Sequence, residues 1–485
     1  MLFNSYTFLF LFLPLCLAGF WLASGSTGRR ALGWLVFMSI VFYVWWEPVY
    51  LLLLAVSIAM NYGGARMLVR ARAVSPARSG PILAAVVVAN LLLLGYFKYL
   101  DFGISIVNLV AGSEIARHHL VLPLAISFYT LLQIAFLCDI HDGKVVDLDF
   151  GNYLLFVTFF PHMIAGPIIH HSEMMPQFRA LAGRRPPAIM VARGCYLFSI
   201  GMFKKVCLAD TLARASDAGF ARADTLDMTG GWLTALAYTL QLYFDFSGYS
   251  DMAIGLAMMF GIVFPLNFDS PYQSRDIRDF WRRWHMTLSR FLRDYVYVTL
   301  GGNRRGSLRT YRNLFLTFVV GGIWHGAGWP YVIWGAMHGA ALCVHRAWSE
   351  RGLRLPGPLA WLLTFLFVML ALVMFRSPSV DVALAVYRAM LDVGSFDLQA
   401  LGAWRIDAAG SPVIGWLNLV DWPGLGGSGW PFVAACLALC LFGRNSNTLA
   451  RNFEPTLARG LACVLLFALS VVAIETESRF IYFQF

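Results

Sequence analysis

Residues 319–339 read VVGGIWHGAGWPYVIWGAMHG, a stretch with two histidines and no Asp, Glu, Lys or Arg. Its composition suits the interior of a lipid bilayer, where charged side chains are costly. The whole chain shares this character, because 59% of its 485 residues are hydrophobic and only 13% are charged. Soluble domains carry about 25% charged residues. We therefore interpret the chain as an integral membrane protein.

Charge-free windows recur along the chain, and several reach the roughly 20 residues that a helix needs to cross a bilayer. The sequence predicts an all-α integral membrane protein with about 10 to 13 membrane helices. Its 43 glycines and 20 prolines indicate that some segments are broken, re-entrant or interfacial. The windows are 1–28, 79–97, 120–138, 252–268, 313–345 and 355–375.

We expect a single polytopic domain over residues 1–485. N-terminal spans occupy 1–119, a motif-bearing core 120–346, and C-terminal spans 347–485. The last part contains a polar insertion at 376–430, in which we predict a short amphipathic helix near residues 380–391.

Basic residues cluster in loops beside the apolar windows. Arg29 and Arg30 follow the first window, and Arg66, Arg70 and Arg72 end a later one. The positive-inside rule places both clusters on the cytoplasmic side. Contact with anionic lipid then explains the net charge of +10 without a nucleic-acid partner.

The longest charged segment is 275–312, RDIRDFWRRWHMTLSRFLRDYVYVTLGGNRRGSLRTYR. Aromatic and leucine residues recur there every four positions, which predicts one amphipathic helix at the membrane interface. His285 falls on the apolar side of that helix, away from the arginines. The predicted stripe is Phe280, Trp284, Leu288 and Leu292.

A second unusual segment is 241–255, QLYFDFSGYSDMAIG, where Asp245 and Asp251 stand in apolar surroundings. Acids within a span need a partner. We favour an ion-pair node with the arginines of residues 275–293, and direct catalysis is the alternative.

The sequence lacks the motifs that are typical of metal, serine-hydrolase and nucleotide-binding sites. The eight cysteines are scattered without a CxxC, and HExxH, GxSxG and phosphate-binding glycine patterns are absent from the sequence. We therefore expect no metal site. A proton relay in a transporter stays open, because membrane histidines also serve that role.

General-base catalysis suits a membrane histidine such as His325. A histidine with its ordinary pKa of about 6.5 accepts a proton from a hydroxyl at neutral pH. We expect Gly326 to make room for a close approach of substrate. Trp324 and Trp329 would wall the site against water.

Several motifs together carry a resemblance to a known family. WHGAGWPYVIWGAMHG, WRRWHMTLSRFLRDYVY, LGGNRRG, YFDFSGYSD, FFPHMIAGPI and LPLAISFYT run in one order along the chain. This set resembles the membrane-bound O-acyltransferase family, and within it the bacterial branch that acetylates alginate and other exopolysaccharides.

The resemblance implies a multi-helix ring around a central funnel, with re-entrant or interfacial helices. It implies that His325 is the catalytic base and that His285 faces the same tunnel to bind or orient the reacting groups. The role of His338 is left open between substrate contact and packing. The expected substrate-binding residues are Trp324, Trp284, Arg282, Arg283, Asn303, His338 and Asp245.

The implied reaction is acetyl transfer from cytoplasmic acetyl-CoA, a co-substrate, with no tightly bound cofactor. The implied location is the bacterial inner membrane, in a multi-pass arrangement. A periplasmic acetyltransferase or acceptor protein would finish transfer to the polysaccharide, which the sequence does not identify. The rival interpretations are a transporter or flippase for acyl groups or lipid-linked sugars, and a non-catalytic scaffold.

Overall fold

A computed structural model describes residues 1–25, 28–45, 47–145, 148–181, 185–396 and 429–474. Within these ranges every regular element is helical, which confirms the all-α prediction. The chain divides into two compact units, residues 1–195 with 253–265 and residues 196–252 with 266–485. The ring around a funnel and the single domain stay predictions.

The first unit begins with a π-helical turn, Phe8–Phe12, and contains eight α-helices. Its core is an aromatic cluster in which the rings of Phe3, Phe8, Phe42 and Phe160 lie 5.1–6.4 Å apart. The helices are α1 (Leu13–Ser24), α2 (Gly28–Val44), α3 (Tyr50–Val74), α4 (Ser79–Ala111), α5 (Ile126–His141), α6 (Phe150–Thr158), α7 (Phe160–Met163) and α8 (His171–Ala180).

Two helices, α9 (Ala188–Phe203) and α11 (Met228–Met259), belong partly to each unit. The second unit also contains π-helical segments at Lys204–Ala209 and Leu292–Tyr297. Its α-helices are α10 (Asp210–Ala221), α12 (Ile277–Arg283), α13 (Met286–Phe291), α14 (Ser307–His325), α15 (Trp329–Glu350), α16 (Gly357–Arg376), α17 (Val380–Leu391), α18 (Gly429–Phe442), α19 (Ser446–Arg451) and α20 (Leu457–Val472).

Three helical stretches of the described chain are long and apolar enough to cross a membrane: Tyr50–Val74, Pro76–Ala111 and Gly357–Arg376. The last two confirm the windows 79–97 and 355–375. Four shorter apolar helices are Phe8–Ser24, Ile126–His141, Gly429–Phe442 and Leu457–Val472. The total of about 10 to 13 membrane helices stays a prediction.

Two sequence windows fold differently from a single span. The window 252–268 is helical only to Met259, because the chain turns at Gly261 with φ of +81°. The window 313–345 is two helices, α14 and α15, separated at residues 326–328. Most of the predicted insertion 376–430 lies outside the described residues, but its amphipathic helix is confirmed as α17.

The α14–α15 hairpin depends on glycines at the helix contact. A Cβ added to Gly335 would lie 2.4 Å from the backbone oxygen of Phe318. One added to Gly322 would lie 2.3 Å from the oxygen of Tyr331. The two backbones therefore touch with no room for a side chain, as small residues allow in membrane helices.

This contact predicts a large effect of one methyl group. Gly335→Ala is expected to cost about 1–3 kcal/mol of stability through overpacking, measured as a lower melting temperature in detergent. Gly328→Ala is the matched control, because its added Cβ would come no closer than 3.6 Å to a neighbour. Equal melting temperatures for the two variants would contradict this interpretation of the hairpin.

Candidate active site

His325 is the last residue of α14, and it is only 4% exposed. Its ring packs at 4.9 Å from Trp324, 5.1 Å from Trp334 and 5.3 Å from Phe375. Helix α14 ends here because Gly326 adopts an extended backbone. The imidazole therefore lies in an aromatic box formed by α14, α15 and α16.

Two expectations about this box need correction. Gly326 does make room, but for Tyr331, whose ring would lie 2.2 Å from an added Cβ. Of the two predicted walls, Trp324 is buried and Trp329 is half exposed. Trp334, which is not among the predicted site residues, packs edge-on against His325 at an interplanar angle of 89°.

His338 belongs to the same cluster, because the Trp334 ring lies 4.8 Å from it. The Trp281 indole Nε1 donates to His338 Nδ1 at 3.2 Å. An indole only donates, so Nδ1 of His338 must accept and carries no proton. This hydrogen bond fixes the orientation and the tautomer of a ring that is 1% exposed.

His285 lies at a break between two helices, so the predicted continuous helix is wrong here. Helix α12 ends at Arg283, α13 begins at Met286, and His285 has φ of +42°, which is rare for a residue other than glycine. Backbone hydrogen bonds hold the break. Asp269 N–H donates to Arg283 O at 2.9 Å, and Met286 N–H donates to Asn267 O at 3.0 Å.

Asn267 also holds the His285 side chain, with a distance of 3.0 Å between its Oδ1 and His285 Nδ1. The same oxygen accepts from Thr287 Oγ1 at 3.0 Å, and Asn267 Nδ2 donates to Ser250 Oγ at 3.1 Å. Because Oδ1 only accepts, Nδ1 of His285 carries a proton. Asn267 is not among the predicted site residues, because a lone asparagine near the end of an apolar window has no recognisable spacing.

The other predicted binding residues occupy different surroundings. Trp284 is buried between aromatic rings, 5.1 Å from Phe268 and 5.6 Å from Phe280. Arg282 is exposed, and Arg283 pairs with Asp279 at 3.0 Å. Asn303 is exposed in a turn between the π-helical segment and α14.

Asp245 and Asp251 form buried ion pairs, as predicted, but with lysines. Lys205 lies 2.7 Å from Asp245 and 2.6 Å from Asp210. Lys204 lies 2.7 Å from Asp251. The prediction named the arginines of residues 275–293 as partners and did not anticipate these lysines. Both lysines belong to the π-helical segment after α9.

Comparison with known proteins identifies the class. Residues 117–375 match the model of MBOAT, the membrane-bound O-acyltransferase family. This range contains His285, His325 and His338. The chain belongs to this family, and it is a membrane O-acyltransferase.

Individual relatives extend the match beyond that range. The chain is 44% identical to the peptidoglycan O-acetyltransferase of Helicobacter pylori, over 82% of this chain and 81% of the relative. It is 39% identical to a probable alginate O-acetylase of Pseudomonas aeruginosa and 40% identical to one of Azotobacter vinelandii, with all of each chain covered.

Proposed function

We propose that the protein is an O-acetyltransferase of the bacterial inner membrane, with cytoplasmic acetyl-CoA as donor and His325 as general base. The acetyl group would pass across the membrane to O-acetylate an exopolysaccharide of the alginate or cellulose type. The observation that carries this proposal is the burial of His325 in an aromatic box inside the segment that defines the family.

In the proposed reaction, His325 takes the proton of an acceptor hydroxyl as its oxygen attacks the thioester carbonyl carbon. The carbon–sulfur bond then breaks, and the coenzyme A thiolate leaves with the proton that His325 returns. Surrounding aromatic rings exclude water, which would otherwise hydrolyse the thioester. Trp334 Nε1 is buried without a hydrogen-bond partner in the described part of the chain, so it is available to the carbonyl oxygen.

The remaining predicted residues take supporting roles in this proposal. Asn267 holds His285 through its ring nitrogen Nδ1. In this orientation His285 would orient the reacting groups, beside Trp284. Arg282, Arg283 and Asn303 lie at or near the surface, where they can contact the phosphates of acetyl-CoA.

The names of the relatives support two candidate acceptors. Full-length similarity to probable alginate O-acetylases favours an exopolysaccharide, to which a periplasmic acetyltransferase or acceptor protein would deliver the acetyl group. Peptidoglycan is the second candidate, because a peptidoglycan O-acetyltransferase is 44% identical over most of both chains.

The test uses the full chain in nanodiscs with acetyl-labelled acetyl-CoA. Coenzyme A release and label transfer are measured with mannuronate oligosaccharides, cello-oligosaccharides and peptidoglycan fragments, each with and without co-purified partner proteins. Label on a saccharide, with one coenzyme A released for each acetyl group transferred, supports the proposal. The labelled saccharide identifies the acceptor. A transporter would move substrate without consuming acetyl-CoA, and a scaffold would do neither.

Asn267 supplies a sharper prediction about His285. Asn267→Leu removes the acceptor at nearly constant volume and is expected to reduce turnover about 5- to 150-fold, as losing a buried hydrogen bond of about 1–3 kcal/mol predicts. Asn267→Asp keeps an acceptor oxygen and is expected to retain more activity than Asn267→Leu. Equal activity of the two variants at equal melting temperature would contradict the positioning role.

A further inference from the structure

An apolar groove runs along one face of α3 in the first unit. Its volume is about 450 Å³. Neither the family match nor the proposed reaction assigns it a role. The groove is lined from α3 by Leu51, Leu54, Ala55, Ile58, Ala59, Tyr62, Gly63 and Arg66, and from α2 and α6 by Ile40, Phe150, Leu154 and Thr158.

The α3 residues recur every three or four positions, so they form one continuous face of a helix that is long and apolar enough to cross the membrane. From Leu51 to Arg66 the helix rises about 22 Å. That length exceeds half of the roughly 30 Å hydrocarbon core of a bilayer. The groove is therefore long enough for one lipid chain of a single leaflet.

Small side chains give the groove its depth. Ala55, Ala59 and Gly63 follow one another at intervals of four residues, between the larger side chains of Ile58 and Tyr62. A Cβ added to Gly63 would meet no atom within 4 Å. This part of the groove is open space that a side chain or a ligand can fill.

The chemistry of the lining selects among occupants. Apolar side chains line most of the groove, and Arg66 is the one charged residue among those that line it. An apolar surface with a single cation at its end suits a hydrocarbon chain that carries an anionic headgroup.

Arg66 lies at one end of this apolar surface. Its side chain is exposed, and no carboxylate of the described residues forms a salt bridge with it. A guanidinium at the end of a hydrophobic groove matches the phosphate of a lipid headgroup in charge and geometry. It lies in the basic region that the positive-inside rule assigns to the cytoplasmic leaflet.

We propose that this groove binds one anionic phospholipid, with an acyl chain along Ala55, Ala59 and Gly63 and the phosphate on Arg66. The lipid is part of the structure around α3 and takes no part in acyl transfer. This proposal does not depend on the identity of the donor or the acceptor of the reaction.

The test is native mass spectrometry of the full chain in detergent with phosphatidylglycerol or phosphatidylcholine of identical chains. Wild type is expected to retain one lipid and to favour phosphatidylglycerol about fivefold, the effect of one arginine at a membrane surface. Gly63→Leu is expected to lose the lipid, because leucine fills the groove. Arg66→Gln is expected to keep the lipid and lose the headgroup preference.

Matched controls exist on neighbouring surfaces. Gly95→Leu on α4 adds the same side chain at a helical glycine that also has open space around it. Arg70→Gln removes an exposed arginine one turn beyond Arg66. Equal lipid retention by Gly63→Leu and Gly95→Leu, or equal headgroup preference in Arg66→Gln and Arg70→Gln, would overturn the proposal.

A second measurement on unaltered protein does not depend on folding of any variant. Phosphatidylglycerol with a photoactivatable acyl chain is expected to label peptides that contain Tyr62 or Phe150. Labelling that avoids both peptides would overturn the proposal. A wild-type dimer that Gly63→Leu abolishes would instead assign the groove to a second copy of the chain.

Discussion

His325→Ala is expected to reduce acetyl transfer at least about a hundredfold, because a positioned general base contributes about 10²–10⁴-fold to a rate. The measurement is label transfer from acetyl-CoA in nanodiscs at saturating donor. Donor affinity should change little, because the base acts on the acceptor hydroxyl. The loss should therefore appear in kcat more than in KM for acetyl-CoA.

The aromatic box around His325 makes a second variant necessary. Alanine removes the ring that packs on Trp334 and Phe375, so His325→Ala could lose activity through packing alone. His325→Phe keeps an aromatic ring and removes the proton acceptor. It is expected to melt close to wild type and to remain as inactive as His325→Ala.

His345→Ala is the matched histidine control. His345 lies on α15, 3.6 Å from Asp276, with a quarter of its side chain exposed. This variant is expected to transfer acetyl groups at the wild-type rate. If His325→Phe also turned over acetyl-CoA at that rate with acceptor present, His325 would not be the base. The transporter or scaffold interpretation would then be preferred.

The sequence predicts well those features that depend on local composition. The window 79–97 lies within α4, and all but the first two residues of 355–375 lie within α16, because a long apolar run in a bilayer has few alternatives to a helix. The same reasoning predicts buried ion pairs for Asp245 and Asp251, since an unpaired carboxylate is costly there.

The features that the sequence does not predict depend on contacts between distant segments. The break at His285 is held by backbone atoms of Asn267 and Asp269, which no helical period reveals. Lys204 and Lys205, which pair with the acids of α11, lie about 40 residues earlier in the chain, in the π-helical segment before α10. The contact of Gly326 with the Tyr331 ring is closer in sequence, but it depends on how the chain turns between α14 and α15, which the sequence does not specify.

Lys205→Met is expected to cause a large loss of stability in the second unit. Lys205 lies between Asp245 and Asp210, and the side chains of Lys205 and Asp245 are 3% and 1% exposed. Removing one partner of a buried ion pair costs about 3–5 kcal/mol, because it leaves a charge without compensation. The measurement is the melting temperature in detergent, with yield of monodisperse protein as a second readout.

The exposed pair of Arg293 and Asp294 is the control for charge removal. Its partners are 2.7 Å apart but 63% and 36% exposed. Arg293→Met is expected to change stability by no more than about 1 kcal/mol. Lys205→Met combined with Asp245→Leu is expected to recover part of the stability, because both charges of one pair are then absent. Equal melting temperatures of Lys205→Met and Arg293→Met would contradict a stabilising role for the buried ion pairs of Lys205.

Asp245→Asn then separates the two interpretations of this acid. If Asp245 acts only through its ion pair, Asp245→Asn activity should fall in proportion to the loss of folded protein, and so should that of Lys205→Met. If Asp245 contacts the reacting groups, Asp245→Asn should fold and lose turnover. We expect the first result, because Lys205 already holds the carboxylate at 2.7 Å in a position that is almost fully buried.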